Sequence, residues 1–255
     1  MTGIIVYVDH GVDGGALKHV MKSLQQEVDT VVHPIKRMDA EGLKKGGWER
    51  KTAVLVVPGG QDVYYQSALH GKGTERIRAF VEKGGIYLGI CAGAYFGCEA
   101  IEFEKGSGLE VCAKRSLEFF PGLAKGPAYG LNKYSYESCR GVEAALISWT
   151  DSQCRTYYNG GCAFEKAEQY DNVEVLGRYL NLEGSPAAII NCKVGKGMAL
   201  LSGVHIEYSS LLLSRTDPYI ERIITLLLSG EEKRRQVFQE MLLRLGLTLK
   251  SHLEK

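Results

Sequence analysis

In the stretch GGIYLGICAGAYFGCE, residues 84–99, a cysteine stands among small residues at the end of an apolar run. Ile86 to Ile90 has the length and composition of a buried strand, bounded by the turn-forming Gly84 and Gly85. Ala92 to Phe96 reads as the first turns of a helix. A strand, a sharp turn and a helix leave Cys91 at the turn, where Gly89 and Gly93 let the two elements approach closely. Such a turn exposes the sulfur and aims backbone N–H groups at it, an environment that favours a thiolate nucleophile. A buried structural cysteine beside a glycine turn is the competing reading of this stretch.

Two other stretches carry complementary chemistry. In VVPGGQD, residues 56–62, a strand end delivers a Pro-Gly-Gly turn. The N–H of Gly60 or Gln61, together with that of Ala92, is then placed to meet a developing oxyanion. An ordinary tight turn accounts for the same residues. In LLSGVHIEYS, residues 200–209, His205 and Glu207 stand at i and i+2 and project to one side of an extended segment. His205 would take a proton from Cys91 while Glu207 orients the imidazole from its far side. The alternative is a surface histidine beside a solvated glutamate. Candidate pocket residues are Gly59 and Gln61 at the Pro-Gly-Gly turn and Tyr158 and Asn159 in YYNGG. His10 and Asp13 in DHGVDGG, at the end of the first strand, are weaker candidates. Cys98, taken as two helical turns beyond Cys91, lies roughly 10 Å along that helix, too far for an undistorted disulfide.

The elements that must position these residues follow an α/β rhythm. Gly3–Val8, Thr30–His33, Ala53–Val57 and Ile86–Ile90 read as strands. Ala16–Glu27, with Leu17, Val20, Met21 and Leu24 on one face, and the segment holding Arg76, Ile77, Phe80 and Val81 read as helices. That alternation indicates a layered fold on a mainly parallel sheet, which binds ligands beyond the carboxyl ends of its strands. From Ile101 to Gly141 the rhythm breaks into short runs among glycines and prolines, expected to form loops and small edge strands. Leu117, Phe119, Phe120, Tyr129, Tyr134 and Tyr136 need burial there. Ala144–Trp149, Cys154–Tyr158 and Val173–Leu180 read as strands, and Ala187–Cys192 with Met198–Ser202 as a hairpin. Pro218–Leu228 and Glu231–Leu245 read as closing helices, before a polar tail, SHLEK. The expected organisation is one domain over 1–255, with an elaborated region near 101–182 and C-terminal helices within 217–248.

Composition bounds the rest. The 255 residues are 45% apolar and 24% charged, with a formal net charge of +1, so no charge excess favours nucleic acid or an anionic membrane. The start, MTGIIVYVD, lacks a basic n-region, and no apolar run nears the roughly 20 residues of a membrane span. Seven cysteines without a CxxC pair fit a reducing, cytoplasmic setting, and the six histidines have no metal-ligand spacing with them. The glycines match neither a dinucleotide fingerprint nor a Walker A loop. No metal or other cofactor is expected.

GICAG at 89–93, PGG at 58–60 and GVHIE at 203–207 together resemble the nucleophile elbow, oxyanion turn and histidine segment of class I glutamine amidotransferase-like proteins. A closer resemblance, over residues 4 to about 228, is to the amidotransferase-like domain at the N-terminus of eukaryotic-type biotin-protein ligases, which also occurs as a stand-alone bacterial protein. GICAGAYFGC, FPGLAKGPAYG, YYNGG and LLSGVHIE carry it. The resemblance implies a flavodoxin-like three-layer sandwich, with Cys91 as nucleophile, His205 as base and Glu207 as the third triad member. It makes Gly60 and Ala92 the oxyanion donors. Where the family's segment reads HPE, this chain has Ile206. No GRGR-like adenylate-binding stretch is present, so the resemblance is to the accessory domain and not to the biotinylating one. Two functions follow as expectations: a cysteine-dependent amidase or amidotransferase-like hydrolase acting on a small amide or related carbonyl compound, or a non-catalytic binding or regulatory module. Either leaves room for a separate protein partner.

Overall fold

A computed structural model describes residues 2–150 and 152–251; the end of the SHLEK tail, residues 252–255, lies outside the described residues. In chain order the first half comprises β1 (Gly3–Tyr7), α1 (Gly14–Glu27), β2 (Ile35–Met38), α2 (Ala40–Lys45), β3 (Thr52–Val57), α3 (Asp62–Leu69), α4 (Lys72–Glu82), β4 (Ile86–Ile90), α5 (Ala92–Phe96), β5 (Cys98–Phe103), β6 (Val111–Lys114) and β7 (Phe120–Gly126). There follow β8 (Val142–Trp149), β9 (Ser152–Asn159), β10 (Ala163–Phe164), β11 (Val173–Arg178), β12 (Ala187–Val194), β13 (Gly197–Ser202), α6 (Pro218–Ser229) and α7 (Glu231–Arg244).

Among the described residues, eleven strands form one mixed sheet in the order β2-β1-β3-β4-β13-β12-β10-β7-β5-β6, with β11 added beside β12. Pairing is parallel from β2 through β13, the half that carries all three chemical stretches. β12 and β13 form the expected antiparallel hairpin. Strand alternation sorts the side chains into two cores. Ile5, Tyr7, Leu55, Val57 and Tyr87 pack beneath α2–α5, whereas Ile4, Val6, Val54, Val56 and Leu88 pack beneath α1 and α7. The result is an α/β sandwich of three layers. The β8–β9 hairpin is a separate two-stranded sheet on the α1/α7 side, where Trp149 Nε1 donates to Glu240 of α7 at 2.8 Å.

Helix α1 begins where Asp13 accepts from Ala16 N at 2.7 Å, and buries Val20, Met21 and Leu24. Three sequence expectations change. Thr30–His33 is a turn, because the Asp29 side chain and carbonyl accept the N–H groups of Val31, Val32 and His33; the strand starts after Pro34 as β2. Cys98 opens strand β5 rather than continuing a helix, since α5 stops at Phe96; its thiol donates to Ala94 O at 3.2 Å. Between 101 and 141, Leu117, Phe119 and Phe120 are buried as expected, but Tyr136 is exposed.

Candidate active site

Strands β3, β4 and β13 are sheet neighbours, and each ends in one of the three stretches. Cys91 follows β4 with φ 52° and ψ −106°, a conformation that costs an L-residue on the order of 1–3 kcal/mol. Its N–H donates to Ser202 O at 2.8 Å, which ties the turn to β13. The expected close approach is present: a Cβ on Gly93 would collide with the Val57 carbonyl, and one on Gly89 with the Gly93 carbonyl. The thiol, on a residue 8% exposed, donates to Asn159 O at 3.6 Å.

His205 is 4% exposed and Glu207 1%. The imidazole Nδ1–H donates to Glu207 Oε1 at 2.8 Å, leaving Nε2 for the thiol. The segment is a turn and not an extended strand, because Tyr208 N donates to His205 O at 3.2 Å; the turn folds the carboxylate back onto the ring. Burial pushes the imidazole toward its neutral form. The Glu207 charge, followed by hydrogen bonds to Cys91 and Glu207, overcomes this and holds His205 raised, to about 10. Thiol, imidazole and carboxylate therefore lie in one line of contacts. Gly59 is wedged against it: a Cβ there would sit 2.8 Å from His205 Cε1 and 3.5 Å from Cys91 Cβ.

The backbone of the histidine turn is clamped by residues that sequence reasoning did not single out. Thr156 Oγ1 donates to His205 O at 2.7 Å, Ser23 Oγ to Glu207 O at 2.6 Å, and Arg234 to Ile206 O. The only advance signal was polarity on otherwise apolar faces.

At the Pro-Gly-Gly turn, Gln61 N donates to Gly11 O at 2.8 Å, so that N–H is not free for an oxyanion. The N–H groups of Gly60 and Ala92 donate to no acceptor among the described residues. Gly60 has φ +151°, and a Cβ on it would strike the Gly11 carbonyl. Only glycine fits this position.

A cleft of about 660 Å³ opens over Cys91 and His205. Gly59, Gln61, Asn159, His10 and Asp13 line it, as expected. Tyr158 does not. Alternation along β9 turns it into the core, where its hydroxyl donates to Gly161 O at 2.9 Å, and Tyr157 faces the cleft instead. The loop holding Tyr134 to Cys139 forms one wall. A second histidine, His19 of α1, stacks on Tyr208 with ring centroids 3.8 Å apart and lines the cleft. Burial, then the nearby His205, pushes His19 down to about 4. Among the described residues, no group of three or more His, Cys, Asp or Glu is arranged to hold a metal.

Comparison with known proteins bears on fold and family. A Chlamydia muridarum protein, itself uncharacterized, is 46% identical over 211 residues, covering 82% of this chain and 81% of its own. The biotin-protein ligase of Schizosaccharomyces pombe is 37% identical over 212 residues, covering 81% of this chain but only 33% of the ligase. The chain thus corresponds to about a third of that enzyme. A crystal structure of a glutamine amidotransferase superposes with a TM-score of 0.56 at 18% identity, covering 88% of this chain and 98% of the other, a likeness of fold. The family described as "Biotin-protein ligase, N terminal" matches residues 2–255, and the chain belongs to that family.

Proposed function

We propose that the chain is a cysteine-dependent amidohydrolase that cleaves a small carboxamide or related carbonyl compound. The observation that carries this reading is the continuous contact of a thiol on a strained turn, a raised imidazole and a buried carboxylate at the floor of one cleft. A cationic imidazole next to a cysteine sulfur is the general arrangement that supplies a sulfur nucleophile.

Cys91 Sγ adds to the carbonyl carbon, and the oxygen takes the electron pair of the C=O π bond. The N–H groups of Gly60 and Ala92 receive that oxyanion. His205 Nε2–H then protonates the departing nitrogen as the C–N bond breaks, which leaves a thioester on Cys91 and a neutral imidazole. Water enters, gives its proton to Nε2 and adds to the thioester carbonyl. Collapse expels the sulfur and returns Cys91 and His205 to their starting state. The net change is amide plus water to carboxylic acid plus amine. Glu207 keeps Nδ1 protonated throughout and holds the ring in line.

A second reading, a module that binds its ligand without turnover, draws support from the ligase relative, in which the corresponding segment is one part of a larger protein. Iodoacetamide alkylation mapped by mass spectrometry separates the two. Cys91 is expected to react faster near neutral pH than the other six cysteines, and His205→Ala to slow it. Equal rates at Cys91 and the buried Cys98, unchanged by His205→Ala, would leave the hydrolase reading without a nucleophile. A screen of glutamine, small amides and short peptides, with Cys91→Ala as the blank, then seeks turnover.

A further inference from the structure

The walls of the cleft carry two carboxylates. Asp13 and Glu137 line it from two different loops, and no lysine or arginine is among the described lining residues. The Asp13 charge is felt by Tyr134, Tyr157 and Tyr208, on three separate segments around the opening. Those three rings, with Tyr64 and Tyr136, give the cleft five tyrosines; Tyr208 is stacked between His19 at 3.8 Å and Tyr157 at 4.5 Å, and the ring faces left open attract cations. Arg115 is paired at 2.6 Å with Asp62, which lines a small recess beside Ala92.

A second, independent feature points the same way. His19 lines the cleft, is only 4% exposed, and has an Nδ1 without a hydrogen-bond partner. It is uncharged near neutral pH and so adds no positive charge to the wall.

Resting on the reading of Cys91 as nucleophile, we propose that this cleft selects a cationic substrate: an amide or related carbonyl compound bearing an ammonium or guanidinium group, set against Asp13, Glu137 and the tyrosine faces. Two features have the opposite sign, the His205 imidazolium at the floor and a helix end. The N-terminus of α1 opens on the cleft at Gly14 and Gly15, and Asp13 already accepts from Ala16 N there. An anionic substrate would use that terminus.

The test needs no known substrate. Cys91 is modified in the intact protein with three methanethiosulfonates: methyl (neutral), trimethylammonioethyl (cationic) and sulfonatoethyl (anionic). Each rate is divided by that reagent's rate with free 2-mercaptoethanol. The expected result is a normalised preference of roughly tenfold or more for the cationic over the anionic reagent. The preference should shrink in about 0.5 M NaCl and collapse toward unity in Asp13→Asn/Glu137→Gln. Asparagine keeps the helix cap, and the salt series on the wild type needs no variant at all. Equal normalised rates, or a preference for the sulfonate, overturn the proposal while leaving the nucleophile in place. If Cys91 reacts sluggishly with all three reagents and His205→Ala changes nothing, the nucleophile reading fails and this inference falls with it.

Discussion

Replacing Gly59 by alanine tests the link between His205 and Cys91 without touching either residue. The new methyl would stand 2.8 Å from His205 Cε1, about 0.6 Å short of the 3.4 Å at which ordinary contact begins. It would also rest against Ala16 Cβ at 3.4 Å and Cys91 Cβ at 3.5 Å, so it cannot lean away. The ring has little freedom to retreat, because Nδ1 is bonded to Glu207 and Tyr208 packs at 4.6 Å. Overpacking of this kind costs about 1–3 kcal/mol, read as a lowered urea midpoint. A 1 Å error in a reacting group costs roughly 100-fold, so a shift of about 0.6 Å is expected to slow alkylation of Cys91 roughly tenfold. Iodoacetamide kinetics with peptide mapping measures that rate, and His205→Ala sets the floor. If Gly59→Ala loses the expected stability yet alkylates at the wild-type rate, the imidazole does not govern the thiol and the argument is refuted.

Three further outcomes follow from the same geometry. In Glu207→Gln, burial acts on His205 without the opposing charge, so the ring turns neutral and alkylation of Cys91 near neutral pH falls by roughly tenfold; an unchanged rate contradicts the orienting role. His19 is held neutral by burial, with a pKa of about 4 against 6.5 when unfolded, so its contribution to stability is complete above pH 6.5 and is lost as pH falls toward 4. That difference amounts to about 3 kcal/mol, and urea titrations across this range should show a shallower pH slope in His19→Phe than in the wild type. Tyr158→Phe removes a buried hydrogen bond to Gly161 O and should cost about 1 kcal/mol by urea unfolding, while Cys91 alkylates as in the wild type.

The legible parts of the fold are those where composition and spacing have a single physical solution. GICAG needs glycine on both sides of the cysteine because backbone carbonyls occupy the space where side chains would be. The parallel strands β1, β3 and β4 were visible as uninterrupted apolar runs because both faces are buried. β2 was missed for the converse reason. It is an edge strand whose residues Lys36 and Arg37 are exposed, while the β-branched residues before it are folded into a turn by Asp29, which leaves Val31 92% exposed. Helix α3 was missed as well: only Tyr65 and Leu69 of its eight residues are buried, too few to impose a helical rhythm.

The same contrast divides the site. Residues 58–60, 91 and 205 follow three strands that are adjacent and parallel, so topology alone brings these distant positions together at one sheet edge. Nothing comparable constrains the walls. Asp13, Glu137 and Tyr136 reach the cleft from loops, and the choice between Tyr157 and Tyr158 depends on the parity of β9, which an adjacent pair of tyrosines leaves undetermined. The chemistry of the floor was therefore readable from motifs, whereas the charge and shape of the walls emerged only from the folded chain. Substrate choice depends on the walls, and an elbow with a histidine segment alone cannot separate a zwitterionic amide from a cationic one. The difference in rate between oppositely charged thiol reagents interrogates the part of the site on which the motifs are silent.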